Sequence, residues 1–204
     1  MSENQKPLLT IKNLCISTND KTAAGQELLK AFDLELTAGF QKVISAPTGS
    51  GKTTLLNYIA GILPDEAFVI TGEMHKVEGL KVSYAFQEPR LIAQIDVLKN
   101  VMLPLENITD KKAAQELALY WLNKLNLEQK VKLHPSKLSG GEQQRAGLAR
   151  AFAYSSALGD SPCILLLDEP FASQDQANAQ NIKNIINEQT NKPNRAAIII
   201  SHIR

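Results

Sequence analysis

The sequence predicts an α/β protein: a mainly parallel sheet flanked by helices, joined to an N-terminal antiparallel β part and interrupted by a helical insertion. Three observations carry this. Two apolar runs, CILLLD (163–168) and AAIIIS (196–201), are separated by a helical stretch, and strands apolar on both faces belong to parallel sheets covered by helices. A short strand, QKVISA (41–46), runs straight into a glycine-rich loop and then a helix. Between residues 88 and 158 the pattern is helical.

The elements follow in order. LLTIKNLCI (8–16) and FDLELT (32–37) read as strands, the second alternating cleanly at Phe32, Leu34 and Leu36, with NDKTAAGQ as loop between them. After QKVISA, TTLLNYIAGIL has helical apolar spacing at Leu55, Leu56, Ile59 and Ile62, and Pro64 marks its end. VSYAFQ (82–87) is a further short strand. Ala113, Leu117, Trp121 and Leu125 form an apolar helical stripe, with Thr109 or Asp110 as N-cap. EQQRAGLARAFAYSSAL (142–158) predicts another helix, and ANAQNIKNIINEQ the one between the two apolar strands.

A chain of 204 residues is long enough to bury a sizeable core, and 44% hydrophobic with 21% charged residues is ordinary for a soluble protein. The net charge of +1 argues against a strongly electrostatic nucleic-acid binder, so no nucleic-acid partner is expected. Cys15 and Cys163 lie far apart in apolar runs, which reads as buried thiols in a reducing compartment. MSENQKPLLT lacks an apolar stretch of signal-peptide length, and the longest apolar runs are too short to span a bilayer. A cytoplasmic protein that reaches a membrane through a partner is expected.

SAPTGSGKTT (45–54) carries the first chemistry. Glycines let successive backbone N–H groups turn inward around anionic oxygens, and the following helix adds its own amides and the positive end of its dipole. Gly49, Ser50, Gly51, Lys52, Thr53 and Thr54 thus form a candidate phosphate cradle, with Lys52 reaching β- and γ-phosphates and the Thr53 hydroxyl facing Mg²⁺. Ala46 occupies the position where the pattern G-x-x-x-x-G-K-[ST] has its first glycine. Alanine fits there if its φ is negative; a positive φ would cost roughly 1–2 kcal/mol.

CILLLDEP (163–170) ends an apolar strand in two acids. Asp168 is placed to hold Mg²⁺, and Glu169 to orient or deprotonate an attacking water. In LSGGEQQR (138–145), Ser139, Gly140 and Gly141 precede a helix and make a second anion-binding start. One γ-phosphate does not need both sites in one chain, so a head-to-tail dimer is expected, each chain closing its second site over its partner's nucleotide.

In these motifs and their order the chain resembles the nucleotide-binding subunit of an ABC transporter over nearly its whole length. The resemblance implies a P-loop NTPase core formed by 1–87 and 159–204 with a helical subdomain at 88–158, together a single ATPase domain over 1–204. It implies ATP and Mg²⁺ as ligands, hydrolysis coupled to transport, a homodimer or a heterodimer with a related subunit, and integral-membrane permease subunits, with a solute-binding protein acting indirectly. Location at the inner face of the plasma membrane follows. Gln87 in AFQEPR matches the glutamine that reaches metal and γ-phosphate, Asp175 in FASQDQ the aspartate where two chains meet, and His202 in IIISHIR the histidine near the γ-phosphate. FQEPRLIAQIDVLKNV and DEPF resemble the nitrate, sulfonate and taurine importer branch, so import of a small solute is expected. A lipoprotein-release or other exporter ATPase, or a regulatory subunit with low turnover, are the alternatives. A soluble ATPase acting on DNA or ribosomes fits less well, because only about 50 residues separate Gln87 from Leu138.

The chain departs from the family pattern at several points besides Ala46. CISTND offers Ser17 or Thr18 where an aromatic usually stacks on adenine, a loss worth on the order of 1 kcal/mol. Gln174 stands where the family usually has a small or apolar residue. The chain stops two residues after His202, where members usually continue.

Overall fold

The computed structural model describes residues 6–19, 25–47 and 49–201. In chain order its strands are β1 (Leu9–Thr18), β2 (Glu27–Leu36), β3 (Gln41–Ile44), β4 (Phe68–Lys76), β5 (Lys81–Ala85), β6 (Cys163–Asp168) and β7 (Arg195–Ile200). The helices are α1 (Lys52–Ala60), α2 (Val97–Met102), α3 (Lys111–Lys124), α4 (Gly140–Ala157) and α5 (Gln176–Thr190). β2, β1 and β4 form an antiparallel sheet in that order, and β3, β7, β6 and β5 a parallel one.

The parallel sheet explains why CILLLD and RAAIII are apolar throughout. Side chains alternate between faces of a strand, and both faces here are covered. Ile164, Leu166, Ala196, Ile198 and Ile200 pack with α1 and the antiparallel sheet. Leu165, Leu167, Ala197 and Ile199 pack with α2, α3, α4 and α5. The helices between residues 97 and 157 therefore share one core with a face of the sheet.

Helix α4 is fixed along its length by side chains that reach its backbone or its ends. Ser83 Oγ on β5 donates to the Ala151 carbonyl at 2.7 Å. At its C-terminal end the guanidinium of Arg195, only 2% exposed, donates to the carbonyls of Ser155 (2.9 Å) and Gly159 (2.6 Å). The last carbonyls of a helix lack intrahelical donors and carry its negative dipole end, so a buried cation is stabilised there.

Several boundaries differ from the sequence expectation. β2 begins at Glu27, ahead of Phe32, because its outer half pairs with Leu29–Ile16 register contacts that its polar residues hide. β4 has no counterpart in the prediction: VITGEMHK is largely exposed and lacks alternation. β3 stops at Ile44 and β5 at Ala85, so Ala46 and Gln87 lie in loops. α1 ends at Ala60 because Gly61 takes a left-handed conformation (φ 71°), short of Ile62 and Pro64. α2 is too short to leave a periodic signal. In α3 the N-cap is Asp110, whose Oδ1 accepts from the amides of Lys112 (2.9 Å) and Ala113 (3.0 Å). Its buried face is Ala114, Ala118, Trp121 and Leu122, leaving Leu117 half-buried.

Candidate functional site

β3 delivers the chain to the loop and α1 leaves it, so the loop sits at the carboxyl end of the parallel sheet. Gly49 and Gly51 adopt φ of 82° and 78°. Gly51 is the N-cap of α1, which has no acid in its first turn and no side-chain cap. Its first amides and positive dipole end are therefore left to an anion. A Cβ at Gly51 would lie 2.7 Å from the carbonyl oxygen of Leu28, so β2 walls the loop and excludes any other residue there. Lys52 is nearly buried, its Nζ donating to the carbonyls of Ala46 (2.6 Å) and Pro47 (2.8 Å). Ala46 is not among the residues with positive φ, so alanine stands there without strain. Its contribution to the site is its carbonyl.

Across the loop, Thr53 Oγ1 donates to Asp168 Oδ2 at 2.9 Å. The hydroxyl and the buried carboxylate thus converge, although 115 residues apart. Among the described residues no three His, Cys, Asp or Glu side chains cluster to enclose a metal. One carboxylate and one hydroxyl fit Mg²⁺, which takes few protein ligands and completes its shell with phosphate oxygens and water.

Glu169 follows with φ 52°, a left-handed conformation that is unusual for a non-glycine residue. Its backbone is pinned: the amide donates to Ile200 O at 3.0 Å, and the carbonyl accepts from Ala172 N (3.1 Å) and from Gln144 Nε2 (2.6 Å). Gln144, buried on α4, is a residue that motif reading did not single out. Strain of this kind, of order 1–3 kcal/mol, concentrates where a side chain must be aimed.

Lys52, Thr53, Gln87, Asp168 and Glu169 line one cavity of about 510 Å³, together with Gly49, Gly51 and Thr54. Gln26 and Leu28 of the β1–β2 hairpin line it as well, with Ile200 of β7. Sequence reasoning passed over Gln26 and Leu28, since nothing distinguishes them from loop and edge-strand residues. Thr18 is engaged beside them, its hydroxyl accepting from Gln26 N at 2.9 Å.

Gln87 is exposed and leaves β5 directly after a stack: Tyr84 on Phe86 at 4.0 Å, with the Arg90 guanidinium 4.1 Å from the Phe86 ring. Burial, with the Asp168 charge adding to it, pushes the Tyr84 phenol well above its ordinary range. It stays neutral and its hydroxyl bonds Asn57 of α1 at 3.2 Å. Arg150 of α4 donates to the carbonyls of Pro89 and Arg90, so the loop carrying Gln87 is fastened to the same helix as Glu169.

Ser139, Gly140, Gly141 and Asp175 do not line this cavity. Ser139 caps α4 in a reciprocal pair: its Oγ accepts from Glu142 N (3.3 Å) and its amide donates to Glu142 Oε2 (2.8 Å). The Ser139 amide, aided by Lys130, holds the Glu142 carboxyl below its usual range. Asp175 caps α5, accepting from Asn178 N at 2.8 Å, which lowers its carboxyl pKa likewise. His202 and Thr48 lie outside the described residues.

Comparison with known proteins adds the following. The family model described as "ABC transporter" matches residues 29–172. The lipoprotein-releasing system ATP-binding protein LolD of Buchnera aphidicola (subsp. Acyrthosiphon pisum, strain APS) is 32% identical over 203 residues, covering 92% of this chain and 86% of that protein. LolD of Legionella pneumophila (strain Paris) is 31% identical over 207 residues (96% and 88%), and LolD of Aquifex aeolicus (strain VF5) 34% over 198 residues (90% and 84%). A dimeric post-hydrolysis state of the ATP-binding cassette MJ0796 bound to ADP and Pi superimposes with a TM-score of 0.80 at 26% identity, covering 96% of this chain and 88% of that one. Another dimeric structure of the same bacterial cassette gives a TM-score of 0.77 at 26% identity, covering 96% and 94%. The expected nitrate, sulfonate and taurine branch is not supported. It rested on a few loop residues and one DEPF, whereas the similarity to lipoprotein-releasing proteins extends over nine-tenths of the chain.

Proposed function

The chain belongs to the ABC transporter family as an ATP-binding, ATP-hydrolysing subunit, and we propose that it powers a lipoprotein-release type of transporter. The observation that carries the ATPase chemistry is the convergence of Thr53 and Asp168 at 2.9 Å in a cavity that also holds Lys52 and Glu169. What favours release over import is that relatives named as lipoprotein-releasing ATP-binding proteins are 31–34% identical over most of the chain.

In this reading the amides from Gly49 to Thr54 and the start of α1 hold the phosphates, and Lys52 neutralises charge on the β- and γ-oxygens. Thr53 and Asp168, with Gln87 lining the same cavity, would hold Mg²⁺, which would supply positive charge against the negative charge that develops in transfer. Glu169 orients the attacking water and accepts its proton. His202 acts near the γ-phosphate on the strength of the family resemblance. Ser139, Gly140 and Gly141 serve the nucleotide of a second protomer, with Asp175 where the two protomers meet, so catalysis takes place in a head-to-tail dimer. No helix among the described residues is long and apolar enough to cross a membrane. The chain reaches the membrane through integral subunits on the cytoplasmic side.

Depletion of the chain in its host tests the transport direction. Lipid-anchored proteins should accumulate in the inner membrane while uptake of small anions such as nitrate continues. Normal sorting of lipid-anchored proteins together with lost solute uptake would overturn release in favour of import.

A further inference from the structure

Gln174 stands in FASQDQ where the family resemblance leads one to expect a small or apolar side chain, and its amide is engaged at both ends. Nε2 donates to the carbonyls of Gly141 (3.1 Å) and Ala172 (3.2 Å). Oε1 accepts from Arg145 Nη1 at 2.8 Å, and Arg145 donates through Nε to the Leu125 carbonyl at the end of α3 (3.0 Å).

The backbones approach as closely as the side chains do. A Cβ added at Gly141 would fall 2.6 Å from the carbonyl oxygen of Ser173, and Ser173 itself has φ 57°. Gly141 is thus required by contact with this loop, whatever it does for a phosphate. The pocket around Gln174 presents two carbonyls on one side and a guanidinium on the other. A primary amide meets both sides, its NH₂ donating to the carbonyls and its oxygen accepting from the guanidinium; a carboxylate meets only the guanidinium, and a leucine neither.

We propose that Gln174 is a positioning residue that locks the loop 172–175 onto the first turn of α4, so that Ser139–Gly141 and Asp175 reach the partner protomer as one rigid piece. The inference rests on the head-to-tail dimer proposed above. It assigns Gln174 to dimer closure and not to the chain's own nucleotide cavity, which it does not line. Two surfaces held in fixed relation lose less freedom on docking than two that move separately.

The test compares Gln174→Leu and Gln174→Glu in a Glu169→Gln background, where slowed hydrolysis lets ATP-bound dimers persist. Dimerisation with ATP and Mg²⁺ is followed by sedimentation velocity, and affinity for a fluorescent ATP analogue is measured on dilute monomer. Both variants should bind the analogue as the parent does. Their dimer dissociation constants should be weaker by about five- to tenfold, equivalent to about 1–1.4 kcal/mol and within the range for lost hydrogen bonds. Gln174→Glu should be no better than Gln174→Leu, since its carboxylate faces two carbonyls. A dimer constant equal to the parent's in either variant overturns the proposal while leaving the dimer reading intact. A Glu169→Gln parent that never dimerises removes the dimer reading and this inference with it. Should Gln174→Leu fail to fold, Gln174→Met, unbranched like glutamine, makes the same comparison.

Discussion

The two glycine-rich helix starts of this chain are built on opposite plans. At α1 the N-cap is a left-handed glycine with no side-chain cap, no acid follows in the first turn, and the surrounding residues converge on one cavity. At α4 the N-cap is Ser139, locked in a reciprocal pair with Glu142, and none of its residues reaches that cavity. The first start leaves its amides without a side-chain cap and has the candidate catalytic groups at the ends of β5 and β6 beside them. The second uses a hydroxyl and a carboxylate to make itself rigid within its own chain. In the proposed dimer this start would be pressed against another molecule's nucleotide, where a rigid cap holds it in place, and a side chain added at Gly140 would meet open space.

The largest effect expected on this contrast is at the first start. Glu169→Gln should lower kcat by about 10²–10⁴ while leaving ATP affinity of the monomer within a few-fold, since the variant keeps the side chain's size and removes only the proposed base. Its backbone is held by Ile200, Ala172 and Gln144, so the φ of 52° persists and the protein stays folded. Steady-state hydrolysis with the membrane partner, beside nucleotide titration of the isolated chain, measures both quantities. Equal losses in kcat and in affinity would break the assignment of Glu169 to the chemical step.

A smaller and different effect is expected at the second. Ser139→Ala removes the hydroxyl that accepts from Glu142 N and should lower stability by about 1 kcal/mol. Hydrolysis should lose about tenfold while nucleotide binding to the monomer is unchanged, which distinguishes a group acting on the partner from one acting at home. The capping pair also has a pH signature. The folded pKa of Glu142 lies below the ordinary 4.5, so its contribution is present above that value and fades as pH falls through the lowered one. In Ser139→Ala this acid limb should shift only in part, because the Ser139 backbone amide still donates to Glu142 Oε2. Glu142→Gln should remove it. Denaturation monitored between neutral and acid pH reads both.

How much of this was legible in the sequence follows from the range of the signals. CILLLD and AAIII announced a sheet covered on both sides because burial on both faces leaves no polar position, and the structure buries every residue of β6 and β7. GSGKTT, the two acids of CILLLDEP and LSGGEQQR were legible because each is a short contiguous run whose residue types carry the chemistry. β4 and the outer half of β2 were not: exposed strands have no alternation to reveal them. Gln26 and Leu28 reach the cavity only because a hairpin folds over the loop, and Gln144 reaches Glu169 only because α4 lies against β5 and β6. Such contacts are made by the tertiary arrangement, and a single chain's pattern carries no trace of them. Gln174 was visible as an exception, but its partners Gly141 and Arg145 were not.

The smallest expected effect concerns Ala46. As a sequence feature it departs from the phosphate-loop pattern, and a positive φ would have added roughly 1–2 kcal/mol of strain while leaving the anion nest in place. Its φ is not positive, and what it offers is a carbonyl to Lys52 at 2.6 Å, which any residue supplies. Glycine there would add freedom to the unfolded chain without relieving strain in the folded one. Ala46→Gly should therefore lower stability by about 0.4–1 kcal/mol. ATP affinity and hydrolysis should stay within about twofold, because Gly49, Gly51 and the start of α1, to which the phosphate amides are assigned, lie beyond it. Isothermal titration with the nucleotide and urea unfolding decide the matter. A gain in ATP affinity of threefold or more on restoring the glycine would mean that the loop carries strain at Ala46 when phosphate is bound, and the contrast between a fully formed first start and a rigid second one would have to be redrawn.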